Sequence, residues 1–259
     1  MCRLAAYLGP QVSLEHFLLS PDHGLMEQSW APKEMRGAII NADGYGFGWY
    51  SGQRVANTYV NPMPIWSDVN LESLGRSLYS SLWLANVRSA TQPLSVSASN
   101  TMPFLHGNLL FMHNGFIDYF AGSLRGRFRQ ELDPKIDAGI TGNTDSEYLF
   151  ALLRHILNRN NDISLEQAAI QTCNKVQEWA DQTKTLLNMI ISDGQQIIAI
   201  RHAINGQCPS LYINTDEPRY PGGILIASEA TTHAKSWQAI TEHSLLVIDA
   251  DGSYRSQSL

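Results

Sequence analysis

The apolar positions along the chain fall into two rhythms. Short, nearly continuous apolar runs come first: Arg3–Leu8, then Phe47–Tyr50 and Arg54–Val60 on either side of the turn Ser51-Gly52-Gln53, then Leu82–Val87 and Leu109–Met112. Runs this short and this apolar are strand signals. Ser13 stands where it can cap a short helix over Leu14–Leu19, which must stop near Pro21. Leu71, Leu74 and Leu78 recur at helical spacing and predict a helix over 70–81. Thr144-x-x-Glu147 reads as a capping box ahead of the apolar run Tyr148-Leu149-Phe150-Ala151-Leu152-Leu153. Ser164-x-x-Gln167 opens another helix, with Leu165, Ala168, Ala169, Thr172, Val176 and Trp179 on one side. The tail returns to strands at Leu186–Ile191, Gln196–Arg201, Ser210–Ile213, Gly223–Ala227 and Leu245–Ile248, with a hairpin signal at Asp193-Gly194. Strands at both ends with helices between them predict an α+β protein whose sheets are covered by helices. Strand order and pairing are not contained in this pattern.

No repeat, low-complexity tract or polar linker marks a boundary, so 1–259 reads as one domain. With 44% hydrophobic and 16% charged residues the chain falls outside the disordered class. A formal charge of 18 − 24 = −6 argues against a nucleic-acid partner, which calls for a basic stripe. No run approaches the ~18 consecutive apolar residues of a membrane span. The first ten residues lack a signal peptide's basic segment and unbroken apolar stretch. Three cysteines cannot all pair with one another, and no CxxC occurs. The expectation is a reduced, cytoplasmic protein with no membrane partner; homo-oligomerisation stays open.

Several common sites are missing. There is no G-x-S-x-G elbow and no G-x-x-x-x-G-K-[ST] loop. The eight histidines include no H-E-x-x-H, and none sits with cysteines at zinc spacing, so no metal is expected. Asp43-Gly44-Tyr45-Gly46-Phe47-Gly48 runs into a strand rather than a helix, which disfavours a dinucleotide site. Its glycines fit a tight turn or the wall of a substrate pocket.

Cys2 is the residue with chemical promise. Removal of Met1 ahead of its small side chain leaves a thiol and a free α-amine on one residue. The amine has an intrinsic pKa of ~7.7–8.0 and can take the thiol's proton near neutral pH. The plain alternative is a small hydrophobe opening a strand. His113-Asn114-Gly115 ends a strand-like run, and Asn114 and Gly115 can offer N–H donors to a developing oxyanion; an ordinary Asn-Gly turn fits equally. Arg88 follows a strand and suits a carboxylate through two parallel bonds, although most arginines are simply solvated. Asp145 lies in the first turn of a helix, where the helix dipole alone accounts for a carboxylate.

Together, Met-Cys at the start, V-R-S-A-T, H-N-G and N-T-D-S-E resemble, in order and spacing, the class II glutamine amidotransferases, a family of N-terminal-nucleophile hydrolases. The resemblance implies a four-layer αββα sandwich with two central antiparallel sheets. It implies Cys2 as nucleophile, Asn114 and Gly115 as oxyanion hole, Arg88 on the substrate α-carboxylate, Asp145 on the α-ammonium and Thr91 lining the glutamyl pocket. No cofactor is implied, and the partner is a small γ-glutamyl substrate. Gly24-Leu25-Met26-Glu27-Gln28-Ser29-Trp30-Ala31-Pro32 and Asn41-Ala42-Asp43-Gly44-Tyr45-Gly46 look like the stand-alone EgtC-like branch, γ-glutamyl hydrolases of ergothioneine biosynthesis. The ergothioneine-pathway enzyme of that branch acts on γ-glutamyl-hercynylcysteine sulfoxide, so the resemblance implies that substrate or a related γ-glutamyl compound. Trp30 and Lys33 depart from its more usual Tyr and Arg. The run Arg88-Ser89-Ala90-Thr91-Gln92-Pro93 lacks the Trp and His-Gly of synthase-coupled members, which makes glutamine the less favoured substrate. A glutaminase subunit feeding ammonia to a separate synthase is the alternative.

Overall fold

The first strand, β1 (Arg3–Ser13), carries buried side chains on both faces, and that demand sets the architecture. Leu4, Ala6 and Leu8 enter one core cluster while Ala5 and Tyr7 enter another, because successive strand residues point to opposite sides. The computed structural model of the chain describes residues 2–35, 39–90, 96–160 and 162–259. The remaining elements are α1 (Leu25–Gln28), β2 (Tyr45–Tyr50), β3 (Ala56–Asn61), α2 (Leu71–Ser77), β4 (Tyr79–Val87), β5 (Phe104–His106), β6 (Leu109–Ile117), α3 (Arg125–Glu131), α4 (Pro134–Ala138), α5 (Asp145–Arg159), α6 (Leu165–Ala180), β7 (Thr185–Ser192), β8 (Gln196–Arg201), β9 (Ala203–Ile204), β10 (Tyr212–Asn214), β11 (Ile224–Ala227), β12 (Gln238–Ala239), β13 (Ser244–Asp249) and β14 (Tyr254–Ser258).

Two antiparallel sheets result. One has the order β12-β10-β11-β1-β4-β2-β3, the other β14-β13-β8-β7-β6-β5 with β9 beside β7. Their facing sides meet through Leu4, Ala6, Leu84, Leu110, Met112, Ile190 and Leu246. The outer face of the second sheet is covered by α3 to α6, whose Phe128, Leu149, Leu152 and Val176 pack on Phe111, Met189 and Ile198. The outer face of the first packs Ala5, Phe47, Trp83 and Ala85 against Phe17, Leu18, Leu25 and Leu71. This is the α+β class and the four-layer αββα order that the resemblance implies. Among the described residues, no helix is long and apolar enough to cross a membrane.

Local departures from the sequence expectations have physical causes. The helix expected over 70–81 ends at Ser77, and Tyr79 opens β4. Tyr79 and Ser80 pair with Ser13 and Val12 of β1, so the ladder outcompetes the helical spacing of Leu78. Ser13 Oγ accepts the His16 N–H at 3.1 Å as a cap should, but Glu15–Leu19 closes as a wide π turn with Ser20 N–H on Glu15 O. Ser164 and Gln167 form a complete capping box. The Thr144 box is half made: Thr144 Oγ1 accepts from Glu147 N–H, while the Glu147 carboxylate turns to the Thr141 and Gly142 N–H groups. The strand expected to end at Met112 continues through His113, Asn114 and Gly115 to Ile117, so Asn114-Gly115 is not a turn.

Candidate active site

Cys2 stands one residue before β1. The antiparallel register Arg3↔Val87, carried one step further, sets Cys2 opposite Arg88. Its half-buried side chain packs against the layer between the sheets.

Arg88 is 4% exposed, and a buried guanidinium needs partners. Its guanidinium Nη1 donates to Asp43 O at 3.2 Å, while its backbone N–H donates to Gly44 O at 2.8 Å and its backbone carbonyl accepts from Asp43 N–H at 3.0 Å. The Asp43-Gly44 turn therefore braces this arginine. Gly44 has φ +116, which disfavours any side chain there. Burial pulls the Arg88 pKa down, opposed by nearby negative charge from Cys2 when ionised, Asp43 and Asp145.

On β6, alternation decides what each group can do. Asp118 N–H bonds to Lys184 O across the ladder with β7, so the odd-numbered N–H groups before it point away from β7. His113 N–H finds Met102 Sδ at 3.2 Å and Ile117 N–H finds Asp145 Oδ2 at 2.7 Å. The Gly115 N–H lies between them on the same flank. A Cβ on Gly115 would fall 1.9 Å from Leu186 O, so only glycine fits. Asn114 shares the parity of Leu110 and Met112 and faces the layer between the sheets. Its Nδ2 donates to Ser228 Oγ at 3.3 Å, which also accepts the Leu4 N–H at 3.0 Å. Asn114 Oδ1 is buried without a partner among the described residues.

Asp145 opens α5. Its Oδ1 accepts from Ser146 N–H at 2.7 Å while Oδ2 takes the Ile117 N–H, so the carboxylate pins the helix start to β6 two residues past Gly115. Beneath it, His113 Nε2–H donates to Leu186 O at 2.8 Å, leaving Nδ1 to accept from Ser146 Oγ at 2.9 Å. Burial holds His113 below the usual histidine range, against the opposing pull of Asp145.

The structure thus links Cys2 to Arg88 through one strand register, Asn114 to β1 through one hydroxyl bridge, and Asp145 to β6 beside Gly115 through its carboxylate. Thr91 lies outside the described residues. Sequence reasoning missed Ser228, which the chain advertises only as the residue after a strand. It also missed Arg3, whose signal was available: a charged residue inside an apolar strand run. Elsewhere, Cys208, Glu242 and His243 bring donor atoms within 4.8 Å of one another, a proximity invisible in their sequence spacing. Glu242 is already paired with Arg201 at 3.1 Å.

A family model described as glutamine amidotransferases class-II matches residues 26–211. The chain is 34% identical over 156 residues to the gamma-glutamyl-hercynylcysteine sulfoxide hydrolase of Mycolicibacterium smegmatis, covering 60% of this chain and 69% of that protein. The protein of the same name from Mycobacterium tuberculosis is 39% identical over 118 residues, a match that spans about half of each (46% and 50%). A probable glutamine amidotransferase of Saccharomyces cerevisiae, DUG3, is 27% identical over 293 residues, covering 96% of this chain and 82% of that protein. Among solved structures, a glutamine aminotransferase class-II domain protein from Silicibacter pomeroyi superposes with a TM-score of 0.71 at 24% identity, covering 99% of both chains. The glutamine phosphoribosylpyrophosphate amidotransferase of B. subtilis gives 0.64 at 15% identity, over 99% of this chain and 49% of that one. At these identities the two structures speak to the fold alone.

Proposed function

The chain belongs to the class-II glutamine amidotransferases, and on that footing we propose that it hydrolyses a γ-glutamyl amide through a thioester on Cys2. It is an amidohydrolase of the γ-glutamyl hydrolase or class-II amidotransferase kind. The observation that carries the reading is the buried Arg88, set opposite Cys2 by the β1–β4 register and within the electrostatic influence of Cys2 and Asp145.

The substrate's zwitterionic end supplies a carboxylate for Arg88 and an ammonium for Asp145. Two charges of opposite sign at a fixed spacing orient the glutamyl chain, and positioning of this kind supplies several kcal/mol of a barrier, up to about 7–11 in ideal cases. With the α-amine of Cys2 freed, that amine takes the thiol proton as sulfur attacks the γ-carbonyl carbon. The oxyanion meets the Gly115 N–H and the second hydrogen of Asn114 Nδ2, each such donor being worth about 3–4 kcal/mol in comparable sites. The ammonium then protonates the departing nitrogen and the C–N bond breaks. Water, deprotonated by the same amine, attacks the thioester; glutamate leaves and the thiol regains its proton. All of these steps use the chain's own groups.

The names of the mycobacterial relatives favour γ-glutamyl-hercynylcysteine sulfoxide as substrate. The yeast relative is named a probable glutamine amidotransferase, and the alternative reading is a glutaminase subunit serving a separate synthase. A panel of glutamine, glutathione and γ-glutamyl-hercynylcysteine sulfoxide, assayed for glutamate release, separates them. The hydrolase reading expects the sulfoxide to be turned over with at least tenfold higher kcat/KM than glutamine. Glutamine as the best substrate, with turnover raised by an added synthase, supports the alternative.

A further inference from the structure

We infer that Glu229 is a positioning residue for the nucleophile, acting through the guanidinium of Arg3 on the carbonyl of Cys2. The inference rests on the function proposed above and goes beyond it. The β1 ladder begins at Arg3, so Cys2 lies outside the regular pairing with β4. Once Met1 is removed, as the proposed function requires, Cys2 has no preceding peptide to orient it. Beside the packing of its side chain, its carbonyl accepts from Arg3 Nε at 2.7 Å.

Arg3 is itself fully buried on the helix-covered face of β1. Burial draws its pKa down, and the opposing influence begins with Glu229. Glu229, 2% exposed, accepts four bonds. Oε1 takes Arg3 Nη1 at 2.8 Å and Glu34 N–H at 2.9 Å; Oε2 takes His23 Nε2 at 3.0 Å and Lys33 N–H at 2.8 Å. All of its acceptor sites are thereby filled. The residue before it, Ser228, bridges Leu4 and Asn114. Two consecutive residues after β11 therefore reach the Cys2 backbone through Arg3 and the oxyanion donor through Ser228. Stability alone does not explain such a pair, because a buried ion pair is often no better than apolar residues of equal volume. Orientation does, since a displacement of about 1 Å at a reacting centre can cost about 100-fold in rate.

Glu229→Gln keeps the shape but replaces one acceptor oxygen by a donor. The expected result, on a γ-glutamyl substrate that wild type turns over, is a kcat lowered about tenfold or more with KM within about twofold, since Arg88 and Asp145 are untouched. The double variant Arg3→Met/Glu229→Gln removes both buried charges. It is expected to recover thermal stability relative to Glu229→Gln while kcat stays low, because Cys2 O has now lost its donor altogether. A kcat that recovers together with the melting temperature would mean a structural role only and overturns the inference, as would folded Glu229→Gln with wild-type kcat. If Glu229→Gln does not fold, the double variant decides alone. A wild-type protein inactive on every γ-glutamyl compound sinks the functional reading instead, so the two failures are told apart.

Discussion

Asn114 Nδ2 donates to the hydroxyl of Ser228 at 3.3 Å, joining a strand of one sheet to the loop that follows a strand of the other. Through the Leu4 N–H on the same oxygen, this bond locks the amide proposed as an oxyanion donor to the strand that follows the proposed nucleophile. Removing the bridge and removing the amide should differ in degree. Ser228→Ala is expected to lower kcat by roughly 3- to 10-fold, the worth of one neutral hydrogen bond. Asn114→Ala is expected to lower it by roughly 100- to 1,000-fold, the worth of an oxyanion donor. Steady-state kinetics on both variants, with circular dichroism to confirm folding, measure this; equal losses would contradict the separate roles.

Replacing Cys2 by Ala should abolish glutamate release while leaving the melting temperature close to that of wild type. The side chain is half-buried and makes no cross-link, so little packing is lost. Appreciable residual turnover would rule it out as the nucleophile.

Arg88→Lys tests the carboxylate grip. One ammonium cannot reproduce a guanidinium's two parallel bonds. The expected loss in kcat/KM is about 10- to 100-fold and appears mainly in KM. Unchanged kinetics would place the substrate carboxylate elsewhere.

The Glu229 carboxyl sets a pH dependence of stability. Burial by itself pushes this group up, but bonds from His23, Lys33 N–H and Glu34 N–H, with the charge of Arg3, hold it at about 2. The folded value lies below the unfolded one, so its contribution is complete above about pH 4.5 and is lost as the pH falls toward 2. The amount at stake is on the order of 3 kcal/mol. Urea unfolding of wild type and Glu229→Gln across that window should show curves that converge as the pH drops. Parallel curves would mean that Glu229 is not held ionised.

Much of the fold was legible because its strands are buried on both faces, and runs such as Arg3–Leu8 and Leu109–Met112 announce themselves. Pairing partners were not, since registers such as Arg3↔Val87 join residues far apart in the chain. Local spacing misled where the ladder had a stronger claim, at Tyr79–Ser81 and at Asn114-Gly115. Cys2, Arg88, Asn114 and Asp145 were named from motifs, each weak alone. The residues that hold them in place escaped notice: Ser228 and Glu229 are ordinary in sequence, and their importance comes from more than 200 positions of separation from Leu4 and Arg3.

The most direct measurement is the intact and peptide-level mass of protein mixed with a γ-glutamyl substrate and quenched in acid during turnover. The account predicts a polypeptide whose first residue is Cys2, carrying one γ-glutamyl group on that residue's sulfur. Active protein that retains Met1, or a glutamyl group attached to any other side chain, would contradict it.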